Sequence, residues 1–238
     1  DEANLLPPGG NCAIIKARPW PPSFSGEVSH MNVYDFDQTI YRRDSTADFY
    51  FYCLARRPRI AFLLPMQGFH FARYLLGRIS KTAFKERFYR FFTKVPDMDA
   101  WVEDFWRTHR GGISAWYLAQ QRSDDLVISA SPEFLLRPIC RELGISHLLA
   151  SRVDPKTGQY TGKNCHGREK VRRLRAAFPG AEVGEFCSDS LSDTPLAEIA
   201  GKSYIIKKER KLDWAAFAHS SRRREKKLRR YADTERFL

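Results

Sequence analysis

Short apolar runs alternate with helical stretches along most of this chain, and several of the runs end in acids or hydroxyls. Asn32–Phe36 reads as a buried strand that closes on Asp35-Phe36-Asp37-Gln38-Thr39. Leu126–Ser129 is a second run, followed by Ala130-Ser131-Pro132, with Pro132-Glu133 opening a helix. Leu148–Val153 and Gln159–Thr161 flank the turn formers Asp154-Pro155-Lys156-Thr157-Gly158, which predicts a hairpin. Next come a helix over Arg168–Ala177 closed by Pro179-Gly180, a strand at Glu182–Cys187, a helix at Pro195–Ala200 and a strand at Tyr204–Lys207. Strands interleaved with helices predict an α/β fold on a doubly wound parallel sheet.

The first two strands are separated by a block that reads as helix only, from Ser45 to about Gln121. Phe84, Phe88, Phe91 and Phe92, then Trp101 and Phe105, fall at helical spacing within it. The predicted organisation is therefore a core of residues 31–44 and 122–212 with an inserted helical subdomain over 45–121. Residues 1–30, broken by Pro7-Pro8-Gly9-Gly10 and Pro19-Trp20-Pro21-Pro22, read as a loose leader. Residues 213–238 form a basic tail. The formal net charge is +12, and thirteen basic against five acidic residues fall in 201–238. A hydrophobic fraction of 43% and a charged fraction of 29% exclude collagen-like, low-complexity and wholly disordered chains.

Five scattered cysteines without a CxxC or a zinc-ligand spacing predict free thiols in a reducing, cytoplasmic setting. The opening Asp-Glu, with no basic start before an apolar run, predicts no intact secretory signal. The longest apolar stretch, Ile60 to Leu76, is interrupted by Pro65, Gln67, Gly68, His70 and Arg73, which argues against a membrane span.

Asp35 and Asp37 stand at the carboxyl end of the first strand, where an open parallel sheet binds its ligands. Alternation puts both carboxylates on one side and Phe36 on the core side. Two carboxylates so close tolerate each other best with a cation between them or with one protonated. Ser129 ends the second strand beside backbone N–H groups at a helix start, a cradle for an oxyanion. Lys170 follows Gly167 at the start of a basic helix, and Ser188-Asp189-Ser190-Leu191-Ser192-Asp193 follows a strand. Each falls at a strand end or helix start, where the sheet would gather them.

This ordered set of four motifs resembles the haloacid dehalogenase superfamily, within its phosphoserine-phosphatase-like branch, over about Met31 to Lys208. The resemblance implies a Mg²⁺-dependent phosphomonoester hydrolase working through an aspartyl-phosphate. By position it makes Asp35 the nucleophile and Asp37 the general acid and base. Thr39, Ser129 and Lys170 would hold phosphoryl oxygens, and Asp189 would bind Mg²⁺ with Asp35 and the main-chain carbonyl of Asp37. Asp193 would support the metal's water shell or the lysine. A carboxylate attacking a phosphate dianion needs such positive charge to relieve the repulsion. The chain departs from the family pattern twice, with Gln38 and Ser188 at positions that are often glycine.

The helical insertion lies where this branch carries its cap, which closes over the site and selects the leaving group. Asp44 and Lys85 stand near the positions that grip substrate amine and carboxylate in phosphoserine phosphatases. A lysine lacks the bidentate fork of arginine, which argues against free phosphoserine and for another small phosphorylated substrate. Apolar Ile60–Leu76 flanked by Arg56, Arg57, Arg59 and Arg78 fits a helix lying on an anionic membrane. It also resembles the cap of bacterial phosphatidylglycerophosphate phosphatases of this branch. Two alternatives therefore stay open, a lipid-phosphate phosphatase and a non-catalytic scaffold that binds membrane or RNA. The basic run Arg222–Arg230 comes without a known nucleic-acid module, which argues against nucleic acid as the partner.

Overall fold

The computed structural model describes residues 30–221, so the leader before His30 and the basic run at 222–230 lie outside the described residues. Six strands form one sheet: β1 (His30–Tyr34), β2 (Leu126–Pro132), β3 (His147–Ser151), β4 (Glu182–Ser188), β5 (Ala200–Lys207) and β6 (Arg210–Asp213). Their order across the sheet is β3-β2-β1-β4-β5-β6. The first five run parallel and β6 returns antiparallel along β5, with Ile205 opposite Leu212. The chain winds outward from β1 to β3, then crosses back to β4 on the other side of β1. That reversal is the topological switch point where such sheets bind ligands.

Alternation along the strands supplies two cores. Met31, Val33, Leu126, Ile128 and Phe186 face one side with Leu174 and Leu196. Tyr34 and Val127 face the other. A sheet buried on both faces is what an α/β layer architecture requires. On the second face lie α6 (Glu133–Glu142) and the long insertion, made of α1 (Ser45–Arg56), α2 (Leu64–Leu75), α3 (Lys81–Tyr89), α4 (Met98–His109) and α5 (Ala115–Leu118). Phe49, Phe91, Phe105 and Trp106 of the insertion share one apolar cluster with Tyr34, Phe36 and Leu135. The first face carries α7 (Arg168–Ala177) and α8 (Thr194–Ala197).

Several element bounds differ from the sequence expectation. The first strand begins at His30 and ends at Tyr34, because Phe36 turns inward to stack on Tyr41 and meet Trp106 edge-on. The second and fourth strands are longer than predicted, and the helix predicted at Pro195–Ala200 ends at Ala197, with Ala200 already pairing with Val183. The expected hairpin shrinks to a single bridge between Val153 and Tyr160, since β3 is taken by its parallel neighbour β2. Gly158 in that turn is obligatory on two counts. Its φ is +75°, and a Cβ there would stand 2.5 Å from the Tyr89 carbonyl oxygen at the end of α3.

Candidate active site

The loop leaving β1 is held mainly by its own backbone. Asp35 N–H donates to the Cys187 carbonyl at 2.8 Å, and the Phe36 carbonyl accepts from Tyr41 at 2.8 Å and from Thr39 at 3.3 Å. Phe36 is fully buried between the two acids and so fixes their direction. Gln38 sits at φ +57°, which explains why a glycine would suit this position.

Asp35, Asp37, Asp44, Lys85, Ser129, Lys170, Asp189 and Asp193 all line one cavity of about 320 Å³ at the carboxyl end of the strands. Lys170 stands at its base, its Nζ 3.0 Å from Asp35 Oδ1 and 2.7 Å from Asp193 Oδ2. Burial alone would lower the lysine's pKa, but these two carboxylates more than offset it and raise it above its ordinary value. Asp35 is pushed upward by burial, with Lys170 opposing and the charges of Asp193, Asp189 and Asp37 adding. Asp37 rises to about 6, again through burial first and then the charge of Asp44. Its Oδ1 accepts from the Ser45 N–H at 2.7 Å, and its Oδ2 accepts from the Ser131 hydroxyl. Burial raises both acids, and geometry tells them apart: Asp35 is paired to a lysine, which favours its carboxylate as a nucleophile, and Asp37 has no cation paired to it among the described residues, which suits it to proton transfer.

Residues 33–198 match the haloacid dehalogenase-like hydrolase family. The chain belongs to that family. A probable phosphatase of Mycobacterium tuberculosis is 29% identical over 218 residues, covering 75% of this chain and 69% of that protein. Among solved structures, a Bordetella pertussis protein of unknown function superposes with a TM-score of 0.62 at 23% identity, over 75% of this chain and 90% of that one. A haloacid dehalogenase family hydrolase of Salmonella enterica gives 0.52 at 16% identity, over 73% and 61%. These two share the fold. The resemblance to the haloacid dehalogenase superfamily read from the four motifs is borne out, and the chain is an enzyme, a hydrolase of that family.

Among the site residues of this hydrolase predicted from sequence, Thr39 alone does not line the cavity. It is buried behind the loop, its Oγ1 has no hydrogen-bond partner among the described residues, and its carbonyl accepts from Ser114 Oγ at 3.2 Å. Ser188 has a specific task. Its Oγ donates to Asp193 Oδ2 at 2.8 Å and accepts from Ser190 N–H at 3.2 Å, so a serine here ties the fourth motif together where a glycine could not.

Sequence reasoning passed over several lining residues. Ser131 lies two residues past Ser129 on the same strand face, a register that period two would have picked out. Thr46 Oγ1 and Ser131 Oγ are 3.2 Å apart. Lys81 of α3 and His166, before α7, reach the cavity from elements far apart in sequence, with Lys81 Nζ 3.5 Å from His166 Nε2. Lys85 Nζ donates to the Ala130 carbonyl at 3.2 Å, and burial with the charge of Lys81 lowers its pKa.

The family implies Mg²⁺, and the donors fit a hard cation. Asp35 and Asp189 face one cavity with oxygen atoms only, burial raises the pKa of Asp189, and Asp193 Oδ1 is buried without a partner among the described residues. No three acidic, histidine or cysteine side chains among the described residues form a coordination cluster by themselves.

Proposed function

We propose that this hydrolase is a phosphatase that cleaves a small phosphomonoester in the cytoplasm through a covalent phosphoryl-Asp35 intermediate. The observation that carries this is the placement of the two acids. Asp35 is paired to Lys170 at 3.0 Å, and Asp37 is held by Ser45 N–H and Ser131 in the same cavity. An Asp35 oxygen attacks phosphorus as the bond to the leaving oxygen breaks, and protonated Asp37 gives that oxygen its proton. Asp37, now a carboxylate, takes a proton from water. The water oxygen attacks phosphorus, the bond to Asp35 breaks, and inorganic phosphate leaves. Lys170 and Ser129 hold phosphoryl oxygens, with Thr39 supporting the loop from behind. Asp193 and Ser188 fix the lysine.

Asp35, Asp189 and the main-chain carbonyl of Asp37 would hold Mg²⁺. When bound, it neutralises phosphoryl charge as the nucleophile approaches. The helical insertion over 45–121 acts as a cap over the cavity, and Asp44 and Lys85 bear on the leaving group. Hydrolysis of a generic aryl phosphate tests the proposal. Wild type should turn over only with Mg²⁺, chelation should abolish the rate, and Asp35→Asn should lose about four orders of magnitude or more in kcat. Equal rates would remove Asp35 as nucleophile.

A second element of the proposal concerns location, a peripheral contact with an anionic membrane. On the segment from Pro58 to Leu76, Phe62 is 84% exposed, Phe69 61%, and Leu75 and Leu76 67% each. No acidic residue occurs between Asp48 and Glu86, whereas Arg56, Arg57, Arg59, Arg73 and Arg78 do. Exposed aromatic and aliphatic side chains rimmed by arginine match the surface of an anionic bilayer. No helix among the described residues is long and apolar enough to cross one. Co-sedimentation with phosphatidylglycerol vesicles at low salt should retain the protein, and Phe62→Ser with Phe69→Ser should release it. Equal sedimentation of the double variant would remove the surface.

A further inference from the structure

The helical wall of the cavity carries positive charge that the chemistry at Asp35 does not use. Lys81, Phe84, Lys85 and Phe88 lie at i, i+3, i+4 and i+7 on α3, one stripe, and all four line the cavity. Two lysines on one stripe repel each other and cost stability unless an anion lies between or beside them. Among the described residues neither lysine has a carboxylate within ion-pair range. The bond recorded for Lys85 is to a carbonyl, and that for Lys81 is to His166 Nε2 at 3.5 Å. Lys170 and Lys211 are by contrast paired with carboxylates. His166 comes from the loop before α7, so the cap and the core both contribute to this cationic corner.

We propose that Lys81, His166 and Lys85 form a second oxyanion site on the leaving-group side of the cavity, and that the substrate carries a second phosphate there. The proposal depends on the chain acting as a phosphatase. The phosphoryl group undergoing transfer is served from the sheet side by Lys170 and Ser129, which leaves the α3 corner to the alcohol portion. Two ammonium groups, with Lys81 steadied by donating to the neutral His166 imidazole, suit the several oxygens of a phosphate better than the two of a carboxylate. The cavity, about 320 Å³, holds a short carbon chain with a phosphate at each end.

Three esters separate the cases: glycerol 3-phosphate with no second anion, phosphoglycolate with a carboxylate, and propane-1,3-diol bisphosphate. Wild type is expected to favour the bisphosphate over the glycerol ester by at least about tenfold in kcat/KM, the size of one charge-assisted hydrogen bond. Lys81→Met and His166→Gln should each bring that ratio down toward one, chiefly through KM. Calorimetry of the same esters with Asp35→Asn, alone and combined with Lys81→Met, reads the corner without turnover. Tighter bisphosphate binding that Lys81→Met weakens supports the second site even if no ester is hydrolysed, an outcome that would instead end the phosphatase proposal. Equal binding of all three esters, a preference for phosphoglycolate, or a bisphosphate preference untouched by Lys81→Met and His166→Gln overturns it.

Discussion

On the sheet side of the cavity, Lys170 sits between Asp35 and Asp193 at 3.0 and 2.7 Å, Ser188 braces Asp193, and Ser131 with the Ser45 N–H braces Asp37. On the helical side, Lys81 and Lys85 face the same space and reach only an imidazole and a carbonyl. The sheet side is a closed network whose charges are already opposed and whose side chains are held from several directions. On the α3 side Lys85 feels the charges of Asp37, Asp44 and Asp35 without an ion pair among the described residues, so closer counter-charge is to come from the ligand. Preorganised groups serve the chemical step, because they need no rearrangement as charge moves. Unsatisfied cations on a helix serve recognition, because an arriving anion gains their full attraction. Substitutions on the sheet side should therefore strike kcat and stability, and those on α3 should strike KM and selectivity.

Lys170→Met breaks the closed network most directly. Asp35 and Asp193 are left buried and facing each other without their cation, a loss of about 3–5 kcal/mol in stability. The penalty has a pH sign. With the lysine gone, the folded-state pKa of Asp35, already raised by burial, rises further. A group with a raised folded pKa retains its stability below the unfolded value and loses it as pH rises through the folded one. The destabilisation should therefore be small near pH 4 and grow toward neutrality, as read by urea midpoints across that range. A penalty independent of pH would mean that the lysine acts by packing alone.

The difference between the two sides also marks what the sequence could reveal. Asp35, Asp37, Ser129, Lys170 and Asp189 sit where short-range signals operate, at strand ends and helix starts, and α7 spans the predicted Arg168–Ala177. The doubly wound sheet follows from the same alternation. The corner at His166 was illegible, because Lys81 and His166 are 85 positions apart and meet only through the packing of α3 over the sheet. β6 was missed for a related reason. Arg210–Asp213 has no alternating apolar pattern and becomes a strand by returning along β5. Thr39 is likewise buried off the cavity, its N–H bonded to the Phe36 carbonyl in a turn that local spacing does not encode.

A subtler perturbation of the sheet side runs through Asp44. Its side chain caps α1 by accepting from the Ala47 N–H at 2.9 Å, and its charge helps to hold the Asp37 pKa up near 6. Asp44→Asn keeps an acceptor for the cap and removes the charge. Asp37 then ionises at lower pH, so the supply of its protonated form runs out sooner as pH rises. The limb of the kcat/KM profile assigned to Asp37 should move down by a few tenths of a pH unit up to about one. A limb that moves upward, or stays fixed while helix stability is unchanged, would separate Asp44 from the acid it faces.

The smallest effect expected lies in the loop that joins the two acids to the rest of the site. Gln38 is exposed and holds φ +57° while its N–H donates to the Arg43 carbonyl at 3.0 Å, so its side chain carries the strain of a left-handed backbone. For a non-glycine residue that conformation costs roughly 1–2 kcal/mol, and glycine removes the cost at the expense of a more flexible unfolded chain. Gln38→Gly should therefore raise stability by up to about 1 kcal/mol, with the backbone bond to Arg43 retained. Because Phe36 stays anchored on Tyr41 and Trp106, the two carboxylates keep their directions and kcat should change less than about threefold. A large fall in kcat together with a gain in stability would show that the Gln38 side chain itself works at the mouth of the cavity, and would shift part of the recognition from α3 to the sheet side.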